Sequence, residues 1–167
     1  MTQERNLILD STQINQKIKR IAYEIYEKNY RENEIILAGI EGEGFTLAGL
    51  LKSQIESISP LKVQLTKVSL DKLSQVQSDV KIELDLNEIK NKVVIIIDDV
   101  LNTGRTLAYA LKPFLNIELK KLQTAVIVDR SHQSYPIVAD YVGYSLATTL
   151  RDRVEVNLEG QMGIYLI

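Results

Sequence analysis

The chain has 167 residues, 45% of them hydrophobic and 25% charged, which is enough for one domain with a substantial core and too few for two full ones. Lys and Arg number 20 against 22 Asp and Glu, a formal net charge of -2, so no overall basic excess points to nucleic acid or an anionic membrane. With no cysteine and a single histidine, His132, the chain has no means to build disulfides, thiolate zinc sites, iron–sulfur clusters, thiol nucleophiles or multi-histidine metal cages.

Met1 to Asp10 is acidic and polar where a secretory signal needs an apolar stretch. The longest apolar runs, such as Val93 to Ile97, fall far below the ~20 residues of a membrane helix. The expectation is a soluble cytoplasmic protein, a single domain over residues 1–167, with no membrane contact.

Ile14, Ile18, Ile21, Ala22, Ile25 and Tyr26 recur at helical spacing, with Asp10 or Ser11 as cap. The polar face of that helix mixes Lys17, Lys19, Arg20 and Lys28 with Glu24 and Glu27, the pattern of a solvated surface. Glu34 to Gly39 reads as a short buried strand, and Leu47, Leu50, Leu51 and Ile55 return to helical spacing over Phe45 to Ile55. Pro60 precedes a strand-like alternation from Lys62 to Ser69. A polar stretch from Asp71 to Asp79 and a short strand at Val80 to Leu84 complete a hairpin-like excursion.

Val93 to Ile97 (VVIII) is β-branched throughout, which predicts a central strand buried on both faces and ending at Asp98-Asp99. A turn and a helix follow, with Leu107, Ala108, Leu111 and Phe114 on one face. Further strands are expected at Ala125 to Val128, Asp140 to Gly143, Val154 to Leu158 and Gly163 to Ile167. Strands alternating with helices predict an α/β fold with a parallel sheet and short appended strands.

The chemistry concentrates in Val93 to Thr106, VVIIIDDVLNTGRT. Ligands of open α/β sheets bind at the carboxyl ends of strands, and the N-terminus of the next helix offers unpaired N–H groups with partial positive charge. Gly104 lets backbone approach an anion, while Thr103, Thr106 and Asn102 add hydrogen-bonding groups. An acidic pair alone reads as turn or cap residues. Joined to this cradle, Asp98 and Asp99 suit the vicinal hydroxyls of a sugar, or a divalent cation held through water. The combination describes a sugar-phosphate site. Other nucleotide motifs fail on spacing: there is no G-x-x-x-x-G-K-[ST] and no G-x-G-x-x-G after the first strand, although Gly39 to Gly44 (GIEGEG) places glycines at a strand–helix turn.

VVIIIDDVLNTGRT resembles the phosphoribosyl diphosphate signature of the type I phosphoribosyltransferases: a hydrophobic strand, two acids and a T-G-x-T phosphate loop. Further pieces resemble one branch of that family, the PyrR-like pyrimidine operon attenuation regulators that are also uracil phosphoribosyltransferases. These are IKRIAYE (Ile18 to Glu24), ILAGI (Ile36 to Ile40), VIVDRSH (Val126 to His132) and PIVADYVG (Pro136 to Gly143). The likeness covers most of the chain and is weakest between Ser57 and Asn91.

The resemblance implies a central parallel sheet flanked by helices, a small C-terminal hood, and a homodimer. It also implies transfer of ribose 5-phosphate from phosphoribosyl diphosphate to a nucleobase, with Mg²⁺ as cofactor. Asp98 and Asp99 would then hold the ribose hydroxyls and the metal, Asn102, Thr103, Gly104, Arg105 and Thr106 the 5-phosphate, and Glu41, Gly42, Glu43 and Gly44 would face the diphosphate. Tyr141 and Val142 would form the hood over the base. Electrostatic stabilisation of the diphosphate would dominate catalysis, since no covalent nucleophile is needed.

Two departures from the family pattern stand out. Its diphosphate loop usually brings a Lys or Arg, whereas this chain has Glu41-Gly42-Glu43-Gly44, and two carboxylates near a polyanion cost on the order of a kcal/mol or more each. The mobile loop of the regulator branch carries Arg-Asp-Asp, whereas residues 70–78 here read LDKLSQVQS, leaving Lys67 and Lys72 as nearby cations.

The leading expectation is therefore an enzyme acting on a pyrimidine such as uracil. The alternative is a regulatory protein that binds phosphoribosyl diphosphate or a nucleoside monophosphate without turnover. RNA binding, the third reading, rests on the family and on Lys17, Lys19, Arg20, Lys28 and Arg31. Against it stand Tyr23, Gln133 and Val138, where that branch often has histidine and arginines. His132, Asp129 and Arg130 read as loop residues paired locally, Arg105 as turned to solvent and a dimer partner, and Arg151 and Arg153 as surface.

Overall fold

The computed structural model describes residues 4–71, 73–74 and 79–167. Lys72 and residues 75–78, part of the expected mobile loop, lie outside them. The described chain folds as β1 (Asn6–Asp10), α1 (Ser11–Asn29), β2 (Glu34–Ile40), α2 (Glu43–Ile58), β3 (Lys62–Ser69), β4 (Lys81–Ile82), α3 (Leu86–Ile89), β5 (Val93–Leu101), α4 (Arg105–Leu115), β6 (Lys121–Asp129), β7 (Tyr141–Ser145), β8 (Val154–Asn157) and β9 (Gly163–Leu166).

Six strands form the main sheet in the order β4-β3-β2-β5-β6-β7, and β3, β2, β5, β6 and β7 run parallel. Strand β4 alone is antiparallel, pairing with β3 as the hairpin-like excursion. The expected central strand is β5, and its uninterrupted β-branched run has a direct cause. Val93, Ile95 and Ile97 enter the core shared with α1 and α2, while Val94 and Ile96 enter the core shared with α3 and α4. Both faces are covered, so no polar residue has a wet side to occupy.

Helix α1 starts on Asp10, whose carboxylate accepts from the Gln13 N–H at 2.8 Å while the Asp10 N–H donates to Gln13 Oε1 at 2.9 Å, a reciprocal capping box. Its apolar stripe, Ile14, Ile18, Ile21, Ala22 and Ile25, is buried as the spacing predicts. The basic face does more than meet solvent, because Arg20 donates to the carbonyls of Val142 and Gly143 at 2.7 and 2.6 Å and Lys28 lies 4.9 Å from the Tyr141 ring. On α4 the buried positions are Leu107, Ala110 and Phe114, with Ala108 and Leu111 half-buried. No helix among the described residues is long and apolar enough to cross a membrane.

The hood is a separate antiparallel sheet, β1-β9-β8. Its C-terminal strands were expected, but its third member is the N-terminal β1, paired with β9 from Asn6↔Leu166 to Asp10↔Gly163. Leu9, Val156, Leu158 and Ile164 join the same core as α1 and α2, which fixes this small sheet against the main one. Tyr141 and Val142, expected in the hood, belong instead to β7 at the edge of the main sheet, where Val142 pairs with Val126 of β6.

Candidate functional site

Two strand–helix turns meet at the carboxyl edge of the main sheet. Gly42 (φ 100°) starts α2 after β2 and Gly104 (φ 86°) starts α4 after β5, and both occupy left-handed backbone that a side chain would strain. Each turn opens a helix whose N-terminal end carries the positive pole of its dipole. The Glu41–Gly44 loop is shorter than expected, because α2 begins at Glu43 rather than Phe45.

Strand β5 does not end at the acidic pair. Its ladder with β6 runs on through Val100↔Val128 to Leu101↔Asp129, so Asp98 and Asp99 lie inside the strand. Asp98 is buried, and its Oδ1 accepts from the Asp99 N–H at 2.9 Å, while Asp99 is half-buried. Beyond them the chain wraps a small recess lined by Asp98 and residues 100–107. Asn102, Thr103, Gly104, Arg105 and Thr106 thus share one concavity with Asp98, its wall rich in donors.

Each side chain of the loop has a defined place. The Thr103 carbonyl accepts from the N–H groups of Ser134 and Tyr135 at 2.7 and 3.0 Å, and Thr103 Oγ1 accepts from the Arg105 N–H at 3.3 Å. Arg105 does not turn to solvent: its guanidinium donates to the Ser74 carbonyl and lies 5.0 Å from the centre of the Tyr109 ring. Asn102 is held from behind, its Oδ1 accepting from Arg130 Nη1 at 2.9 Å.

Arg130 is the organiser that local sequence reading underrates. Beyond Asn102 it donates to Thr148 Oγ1 at 3.0 Å and to the carbonyls of Thr149 and Asp152 at 3.2 and 2.6 Å. One planar fork ties the loop after β5 to the 148–152 turn. Asp152 closes that turn by accepting from the N–H and Oγ1 of Thr149, both at 2.8 Å, and these bonds, aided by the Arg130 charge, hold its carboxyl below the usual range. His132 Nε2 lies 2.7 Å from the Thr148 carbonyl, which can only accept, so that nitrogen carries the proton. Asp129 accepts from the Ser131 N–H at 2.8 Å, the local pairing expected of it.

On the α2 side the two carboxylates part company. Glu41 is exposed, its backbone N–H donating to the Val68 carbonyl at 2.9 Å. Glu43 turns toward the hood, where its Oε2 accepts from the Leu158 N–H at 2.9 Å. Lys67 sits on the neighbouring strand with its ammonium 4.7 Å from the Phe45 ring. Tyr141 lies away from this edge, fully buried, its hydroxyl donating to Gln123 Oε1 at 2.7 Å. Burial pushes its phenol up to about 12.

Comparison with known proteins adds family to geometry. The phosphoribosyl transferase domain matches residues 5–156. A bifunctional protein PyrR of Clostridium acetobutylicum is 41% identical over 160 residues, covering 92% of this chain and 90% of that one. The bifunctional protein PyrR of Haemophilus ducreyi is 36% identical over 95% of this chain and 92% of its own. Among solved structures, a hypoxanthine-guanine phosphoribosyltransferase of Bacillus anthracis superposes with a TM-score of 0.78 at 19% identity, over 97% of each chain. The hypoxanthine phosphoribosyltransferase of Trypanosoma cruzi gives the same score and identity over 96% of this chain and 95% of that one, a likeness of fold.

Proposed function

Because the chain belongs to the phosphoribosyl transferase domain family, as a phosphoribosyltransferase of the PyrR-like branch, we propose that it transfers ribose 5-phosphate from phosphoribosyl diphosphate to a pyrimidine base, uracil first. The observation that carries the reading is the single recess that joins Asp98 to residues 100–107 at the carboxyl end of β5. In this reading Asn102, Thr103, Gly104, Arg105 and Thr106 bind the 5-phosphate, and Asp98 and Asp99 hold the ribose hydroxyls. The C1–O bond to diphosphate breaks as the bond from C1 to the base nitrogen forms. The electron pair leaves with the diphosphate and the nitrogen's proton passes to solvent. The chain's share of the work is to orient C1 and exclude water.

The donor set fits Mg²⁺. No cluster of three or more acidic or histidine side chains lies ready for a metal among the described residues, so Asp98 and Asp99 would hold a hard cation, directly or through water, only together with oxygens of the ligand. When bound, it would neutralise the departing diphosphate. The base lies under the β1-β9-β8 roof in this reading, Glu41 to Gly44 border the diphosphate side, and the protein works in the cytoplasm as a homodimer.

Turnover with phosphoribosyl diphosphate, Mg²⁺ and a panel of bases tests the proposal. Uracil is expected to give uridine monophosphate, and Asp99→Asn to lower kcat/KM about 10–100-fold through loss of a charged hydrogen bond. Background rates with every base would overturn it. A second reading, nucleotide binding without turnover, draws on the sequence of the loop after β2, Glu41-Gly42-Glu43-Gly44, which brings two acids and no Lys or Arg. Calorimetry separates the two: the enzyme binds phosphoribosyl diphosphate with Mg²⁺, whereas the sensor binds uridine or guanosine monophosphate alone.

A further inference from the structure

Glu43 stands at the first position of α2, on the loop assigned to the diphosphate, yet its carboxylate is spent on the roof. Its Oε2 accepts from the Leu158 N–H at 2.9 Å, across 115 positions of sequence, and three residues further along α2 the Thr46 hydroxyl lies 3.3 Å from Glu159 Oε1. Leu158 is 2% exposed and packed in the core with Leu47 and Ile97, so its amide has little water to turn to. A carboxylate at a helix N-terminus is favoured by the helix field, and an acceptor bearing full charge makes a stronger bond than a neutral one.

We propose that Glu43 is a positioning residue that locks the turn after β8 onto the first turn of α2, so that the β1-β9-β8 sheet is set before any ligand arrives. Its effect then falls on the group lying under the roof, the base, rather than on the diphosphate. An acidic residue in this loop becomes a gain in order on one side of the site instead of only a repulsion on the other. The identity of the group under the roof rests on the transferase reading. The lock itself does not.

Hydrogen exchange on the full chain tests the lock without any turnover. Glu43→Ala is expected to speed exchange at the Leu158 amide about tenfold or more, and Glu43→Gln, which keeps an acceptor oxygen, to restore most of the protection. Thr46→Val, which leaves Glu43 in place, is expected to speed it only a few-fold through the weaker second contact. Leu158 exchange unchanged in Glu43→Ala, or raised equally in Ala and Gln, would overturn the proposal. In the kinetic arm, Glu43→Ala should raise KM for the base about fivefold or more with kcat nearly kept and KM for phosphoribosyl diphosphate within about twofold. A change confined to the donor's KM would overturn the positioning role and leave Glu43 a repulsive charge. Absence of turnover in the parent protein counts against the transferase reading, and the exchange arm still decides the lock.

Discussion

Gly44 rests on Asp98 with no room for a methyl group between them: a Cβ there would lie 2.8 Å from the Ile97 carbonyl oxygen, 3.1 Å from the Asp98 Cα and 3.2 Å from its Oδ1. This contact brings the turn after β2 and the acids of β5 into one site. Two of the three opposing atoms are backbone, so Gly44→Ala has to shift α2 or β5 rather than rotate a side chain. It is expected to cost about 1–3 kcal/mol and to weaken nucleotide binding with it. Gly49, further along the same helix, has nothing within 4 Å of its Cβ position, so Gly49→Ala is expected to stabilise by up to about 1 kcal/mol. Urea midpoints of the two variants moving in the same direction would contradict this account.

Arg130 sets the orientation of Asn102, and Lys cannot replace it. The guanidinium reaches Asn102 Oδ1, Thr148 Oγ1 and two carbonyls at once, and a single ammonium lacks that planar fork. Arg130→Lys should therefore resemble Arg130→Ala, each weakening binding of uridine monophosphate about tenfold through a loosened loop after β5, if that loop holds the phosphate as proposed. Calorimetry that finds full affinity in Arg130→Lys would show that charge near the loop, rather than the fork, is what matters.

How legible these features are in the sequence follows from the range of the contacts that make them. Val93 to Thr106 is readable in two of its parts because each answers a local demand, a strand buried on both faces and a glycine with positive φ before a helix, whereas the run of β5 past Asp98 and Asp99 to Leu101 depends on pairing with β6. Strand β1 is not readable, since within Asn6–Asp10 only Leu9 is buried and its partner β9 lies at the other end of the chain. The resemblance put Tyr141 and Val142 in the hood, but a strand's place in a sheet depends on its neighbours, here β6 and α1. Glu43 reads as a liability until Leu158 arrives from far along the chain. Arg130 reads as a local pair until Asn102 and the 148–152 turn close around it.

The 148–152 turn has a built-in acid limit. The Asp152 carboxyl is held below its ordinary 3.8, first by the Thr149 N–H, then by the Thr149 hydroxyl, with Arg130 adding charge. A depressed carboxyl contributes stability that is present above the ordinary value and lost only as pH falls through the depressed one. The turn should stay closed at pH 7 and at pH 5 and open below 3.8. The Thr149 amide resonance, followed by NMR, is expected to shift with a midpoint under that value, and a midpoint at or above it would remove the carboxylate from the role. Asp152→Asn should weaken the turn at neutral pH while abolishing its acid transition.

Tyr141 sets the opposite limit. Its phenol is raised from 10.0 to about 12, first by burial and in part by the Asp140 charge, against lowering contributions from Asn29 and Gln123. The folded state thus prefers the neutral phenol, while the unfolded chain ionises at the ordinary value. Stability from this group is intact below pH 10 and declines as pH climbs toward 12, by on the order of 2 kcal/mol. Tyr141→Phe removes that alkaline loss but leaves Gln123 Oε1 without its donor at 2.7 Å, costing about 1 kcal/mol at pH 7. The parent protein is therefore expected to be the more stable at neutral pH, and its stability to fall below that of Tyr141→Phe between pH 10 and 12, where the two urea-unfolding curves cross. Parallel curves across that window would mean that the phenol ionises as readily in the folded state as in the unfolded one, and that its burial at the edge of the main sheet is incomplete in solution.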